Sequence, residues 1–78
     1  MKSVKLKLDS IDRIKKFNNA VSRFDCDFDL EQGRFYVDGK SLMGLLSLDL
    51  NAPIDLHFYA DETQEDAIMN SLEDFIIS

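Results

Sequence analysis

The chain has one cysteine, one proline, one histidine and no tryptophan in 78 residues. A single cysteine, Cys26, excludes an internal disulfide and fits a reducing compartment. The expected location is therefore the cytoplasm. No stretch approaches the roughly 20 apolar residues that a membrane-spanning helix needs. The N-terminal "MKSVKLKLDS" alternates charged and apolar residues where a secretory signal would carry a continuous apolar segment. The chain reads as a complete cytosolic protein with no membrane partner. The histidine and cysteine supply does not reach the ligand spacing of a structural zinc site, and no metal or cofactor is expected. Basic residues are scarce beyond the first third. Lys2, Lys5, Lys7, Arg13, Lys15, Lys16 and Arg23 precede residue 24, and only Arg34 and Lys40 follow. The net charge is −6, which argues against nucleic acid as the main partner.

What is present suffices for one small domain, residues 1–78. A chain of this size buries only roughly 60–65% of its unfolded surface, so its stability margin is modest. "SVKLKLD" alternates, with Val4, Leu6 and Leu8 on one side and Lys5 and Lys7 on the other, as a strand with one wet face does. In the next segment Ile11, Ile14, Phe17, Val21 and Phe24 recur at spacings of three and four, the stripe of an amphipathic helix. Ser10 is placed to cap it. "CDFDL" and "RFYVD" flank a turn at Gly33 and read as a hairpin. A helix is expected over residues 41–48, ended by Asn51-Ala52-Pro53. "IDLHFYA" alternates again, and Asp61 with Gln64 resembles a capping box before a last helix striped by Ile68, Leu72, Phe75 and Ile76, with Ala67 beside them. The order β-α-β-β-α-β-α, with every strand half apolar, implies an α+β fold: a four-stranded antiparallel sheet with three helices on one face and water on the other.

Few residues invite chemistry. "GKS" at Gly39–Ser41 lacks the glycine five positions earlier that a phosphate loop requires, because Arg34 stands there. His57 falls on the open sheet face between Asp55 and Tyr59, where it reads as a surface histidine with no partner fixed by sequence. Cys26 shares the inward parity of Phe28 and Leu30 and reads as a buried, inert thiol. Ser41 opens a helix. Its plain role is an N-cap worth ~1 kcal/mol. Its sharper role is a phosphorylation site, where free backbone N–H groups would meet the added charge.

The element order and the segment "VDGKSLMGLLSLDL" resemble the HPr family, the small phosphocarriers of the bacterial sugar phosphotransferase system. The likeness is densest from Val37 to Leu48, and "VSRFDCDFDL" and "ADETQEDAIMNSLEDFI" extend it. It implies an HPr-like open-faced β-sandwich and a carrier or regulator, not an enzyme. The family's phosphoryl-accepting histidine opens the first helix within a Gly-x-His-Ala-Arg-Pro motif. Counting back from Phe24, that histidine falls on Ser10, the arginine on Asp12 and the proline on Arg13. All three are lost. The family's regulatory serine falls on Ser41. The resemblance implies HPr kinase/phosphorylase or a transcriptional regulator as partner, with Lys40, Leu42, Met43, Leu46 and Ser47 as the surface read around it. Two alternatives stand beside this regulatory reading. One is a phosphocarrier that accepts phosphate from enzyme I on an atypical residue, and the other is a degenerate HPr-fold interaction module.

Overall fold

A computed structural model describes residues 2–77. Strands β1 (Lys2–Leu6), β2 (Phe28–Gln32), β3 (Phe35–Asp38) and β4 (Ile54–Phe58) form one antiparallel sheet in the order β1-β4-β2-β3. Helices α1 (Ile11–Val21), α2 (Leu42–Leu45) and α3 (Glu62–Leu72) accompany it, and a 3₁₀ turn over Glu73–Phe75 follows α3. The α+β, open-faced arrangement expected from the sequence is the one observed.

Alternation decides which face of the sheet is covered. Leu6, Phe28, Leu30, Ile54, Leu56 and Phe58 turn inward and are essentially fully buried. They meet Ile14, Phe17 and Val21 of α1 and Ile68 and Leu72 of α3 in a single core cluster. Burying each such side chain contributes ~1.5–3 kcal/mol. The opposite face carries Ser3, Lys5, Asp29, Glu31, Tyr36, Asp55 and His57, as the strand register dictates.

The turns follow from local chemistry. Gln32 pairs with Phe35, which leaves Gly33 and Arg34 as a two-residue loop. Gly33 has φ of +59°, the conformation a tight hairpin demands at its first loop position. The expected α2 is longer than the observed one. After Leu46 the amides reach back only three residues: Ser47 N–H donates to Gly44 O at 3.1 Å and Leu48 N–H to Leu45 O at 3.2 Å. The helix tightens and stops, with Leu48 still buried.

Three further differences have physical causes. Ile11 lies in the first turn of α1 and is 54% exposed, because the core does not reach the helix mouth. Ala67 is exposed, and Met69 packs against the core. Ile76 is extended rather than helical. The 3₁₀ turn redirects the chain, so that Ile77 N–H donates to Lys5 O and Lys7 N–H to Phe75 O, both at 2.9 Å. These bonds cover part of the free edge of β1.

Gly39 is held against β2. Its N–H donates to Phe28 O at 2.7 Å, and a Cβ there would lie 2.8 Å from Phe28 Cβ and 3.1 Å from Phe28 O. The backbone atom cannot move aside cheaply. Gly39→Ala is therefore expected to destabilise the protein by about 1–3 kcal/mol. Urea unfolding followed by circular dichroism measures this directly; an unchanged midpoint would show that the contact is slack.

Candidate functional site

Two helix mouths and one patch of sheet hold the residues that sequence reasoning singled out. Ser41 is the N-cap of α2, with extended backbone at φ −94° and ψ 106°. Its Oγ accepts from Gly44 N–H at 3.2 Å. Gly44 makes this approach possible, since a Cβ on it would lie 3.2 Å from Val37 Cβ. One turn of helix can thus rest against β3.

The five neighbours of Ser41 divide. Met43 is 81% exposed and Leu46 45%, and Ser47 is exposed with its hydroxyl donating to Gly44 O at 2.6 Å. Leu42 is half-buried and packs against the core. Lys40 turns inward. Its Nζ donates to Phe24 O at 2.6 Å and lies 6.0 Å above the Phe28 ring. Asn18 of α1 donates to the Lys40 carbonyl at 3.0 Å. The segment before Ser41 is thereby tied to α1, β2 and the loop at Phe24.

The mouth of α1 is built differently. Ser10 caps the helix by accepting from Arg13 N–H at 3.2 Å. Asp12 is exposed in the first turn. Arg13 faces back toward the chain end. Its Nη2 donates to Lys7 O at 3.2 Å and Asp74 O at 2.8 Å. Its guanidinium lies 5.0 Å from the Phe75 ring centre. Nε is buried 3.1 Å from Asp9 Oδ1, an ion pair without hydrogen-bond alignment. The cation is spent on holding the C-terminal turn, and the exposed charge at this mouth is the Asp12 carboxylate.

His57 departs from the sequence expectation of a partnerless surface residue. Its side chain is only 17% exposed. Ser3 Oγ is 2.7 Å from Nδ1, and Glu31 Oε1 is 3.0 Å from Nε2. These partners are 54 and 26 residues away in sequence, so only the strand register brings them together. Cys26 is half-buried, and desolvation pushes its thiol pKa up despite the opposing effect of its own backbone hydrogen bond and of Lys40. That is the character of an unreactive thiol. Among the described residues, no group of three or more His, Cys, Asp or Glu side chains is arranged to hold a metal ion. No helix described is long and apolar enough to cross a membrane.

Sequence reasoning missed Gln32. Its Nε2 donates to Asp49 O at 2.8 Å, and its Oε1 accepts from Asp49 N–H at 2.7 Å. This staples the loop after α2 to β2. The only sequence signal was a polar residue at an inward strand position.

Comparison with known proteins adds to this geometry. The family model described as "PTS HPr component phosphorylation site" matches residues 13–78. The matched span begins three residues beyond Ser10. No curated protein sequence gives a significant match. Solved structures do. A protein described as HPr-C-His from Thermoanaerobacter tengcongensis superposes with a TM-score of 0.77 at 22% identity, covering 95% of this chain and 89% of that one. Phosphocarrier protein HPr from Bacillus anthracis gives 0.67 at 22%, covering 90% and 92%. Crh, the catabolite repression protein of Bacillus subtilis, described as a swapped, intertwined dimer, gives 0.64 at 24%, covering 96% and 90%.

Removing the Arg13 clasp should loosen the chain end while leaving the sheet intact. Arg13→Ala is expected to cost about 1.5–3 kcal/mol through its charged hydrogen bonds. Hydrogen exchange at the Ile77 and Lys7 amides should accelerate more than at Leu56. Uniform acceleration would show that Arg13 supports the whole fold rather than its C-terminal turn.

Proposed function

The chain belongs to the HPr family of the phosphotransferase system, and from that membership we propose that it is a regulatory member, phosphorylated at Ser41 and read by a protein partner. The family is one of phosphocarriers, not enzymes. The observation that carries the proposal is the contrast between the two helix mouths. At α1 the family's histidine, arginine and proline positions hold Ser10, Asp12 and Arg13. Asp12 would repel a phosphoryl group, and Arg13 points to the C-terminal turn. A phosphoserine ester would also be a poor donor for onward transfer. At α2, Lys40, Ser41, Met43 and Gly44 match the family's regulatory segment.

The physical argument at Ser41 is local. The first N–H groups of a helix have no intrahelical partner and favour an anion. Phosphorylation adds nearly two negative charges and three acceptor oxygens. Met43 and Leu46 stand exposed on the same short turn. A partner could bury both while pairing a basic side chain with the phosphate. Methionine suits such a surface because it adapts its shape. Leu42 and Lys40 would support that surface from below in the conformation observed, and Ser47 would lie at its rim. The partner implied is HPr kinase/phosphorylase, followed by a transcriptional regulator of carbon use in the cytoplasm. The catabolite-repression role of Crh points the same way, and residues 40–44 rather than the shared fold extend it to this chain.

Incubation with ATP and the HPr kinase/phosphorylase of the same host, followed by mass-spectrometric mapping, tests the proposal. One phosphate is expected, on Ser41, and none on Ser41→Ala. That variant loses the cap and should unfold about 1 kcal/mol more easily, whereas Ser41→Asp should retain most of the stability. Absence of phosphate on a folded wild-type protein would sink the reading.

A further inference from the structure

Away from both helix mouths, Ser3, His57 and Glu31 form a hydrogen-bonded series across β1, β4 and β2 on the open sheet face. Ser3 pairs directly with His57 in the β1–β4 register, and Glu31 stands diagonally across the β2–β4 pair. An ionised carboxylate can only accept a hydrogen bond. In the neutral imidazole Glu31 therefore takes the N–H of His57 Nε2 at 3.0 Å, and Nδ1 is the free acceptor. The Ser3 hydroxyl is then the donor in its 2.7 Å contact with Nδ1. Tyr36 of β3 lies parallel to the imidazole, with 6.1 Å between centroids and 3° between planes, and limits its rotation. A hydroxyl, a base and a carboxylate that fixes the base's tautomer are the parts of an activated nucleophile.

We propose that Ser3 is a nucleophilic modification site, activated by His57, that accepts a small acyl group from an uncharged activated ester. The donor class follows from the surroundings. Asp29, Glu31 and Asp55 share this face, and the one lysine on it, Lys5, is bonded to Asp55 at 3.0 Å. Partial desolvation, with the nearby charges of Asp29 and Glu31, raises the Tyr36 hydroxyl pKa above its usual value. Such a negative face repels phosphate and carboxylate donors. A shallow depression of about 260 Å³ borders Ser3, Val4, Lys5 and Asp55 and suits a small group. Exposed Tyr36 and Tyr59 offer aromatic surface to an aryl leaving group.

In the step itself, Ser3 Oγ bonds to the ester carbonyl carbon and its proton passes to His57 Nδ1. The carbonyl carbon's bond to the aryloxide then breaks, and the aryloxide leaves with that proton. The products are O-acyl Ser3 and a phenol, with His57 restored. The proposal is for the acceptance of one acyl group and does not require turnover.

The test treats the full chain with p-nitrophenyl acetate, quenches at short times and maps acetyl groups by mass spectrometry. Hydroxylamine removes an O-acetyl group but not the amides formed on Lys2 or Lys5. Ser3 should acetylate at least about tenfold faster than Ser71, an exposed serine of α3, in keeping with general-base assistance. In His57→Gln, whose amide can still bridge Ser3 and Glu31, the Ser3 rate should fall to that of Ser71. An amide NMR spectrum of the variant verifies that the sheet is retained. Equal rates at Ser3 and Ser71, an unchanged rate in His57→Gln, or acetyl resting on the His57 ring would each overturn the proposal.

Discussion

The close approach of Gly39 to Phe28 positions the segment on which function is proposed to rest. Phe28 is where several layers meet. Its ring lies 6.4 Å from Phe24 and 5.5 Å from Phe58, with the Lys40 ammonium above it. The Gly39 amide bonds to the Phe28 carbonyl from the other side. This leaves room for a backbone and nothing more. Two residues later the chain must start a helix, and it does so at Ser41, whose N–H is held by Asp38 O at 3.0 Å. Leu45 and Leu48 then reach the core, and Met43 and Leu46 are left outside. The exposed apolar pair beside Ser41 is thus a consequence of where β3 ends.

The two serine-capped mouths share a geometry and differ in the charges beside it. Both caps accept at 3.2 Å from an amide three residues on. At α1 the neighbouring charges serve the scaffold: Arg13 ties the helix to the C-terminal turn, and Asp12 lies in the first turn, where a carboxylate complements the helix dipole. A carboxylate there is good for a helix and bad for a phosphoryl group. At α2 no acid occupies the first turn, Met43 and Leu46 are exposed beside it, and the Asp38 carboxylate accepts the Lys40 amide at 2.9 Å just before the cap.

Most of the scaffold was legible in the sequence because its signals are local. Alternation identified three of the strands and the turn at Gly33 the fourth, β3, and the three capping residues Ser10, Ser41 and Asp61 each accept the amide expected of them. The capping box at Asp61 is observed on one side only, with Gln64 N–H donating at 2.7 Å. Interactions set by register were not legible. Nothing in "LHF" indicates that His57 meets Ser3 and Glu31, and nothing in "LEQ" indicates that Gln32 holds the loop at Asp49. The helix stripes failed at their ends, at Ile11 and Ile76, because periodicity continues in sequence after the packing partner has run out. The resemblance singled out the segment around Ser41, of which Met43, Leu46 and Ser47 are exposed. The inward turn of Lys40 was not legible, since a lysine's parity does not say which way a long flexible side chain folds.

The account's central claim is that phosphate chemistry has left the mouth of α1. Incubation with phosphoenolpyruvate and enzyme I, followed by mass-spectrometric mapping of phosphate and a test of its acid and alkali lability, addresses it most directly. The account predicts no phosphohistidine and no phosphate on Ser10, under conditions where a histidine-bearing HPr is fully modified. Stoichiometric phosphoryl transfer to His57 or Ser10 would contradict it and return the chain to the carriers.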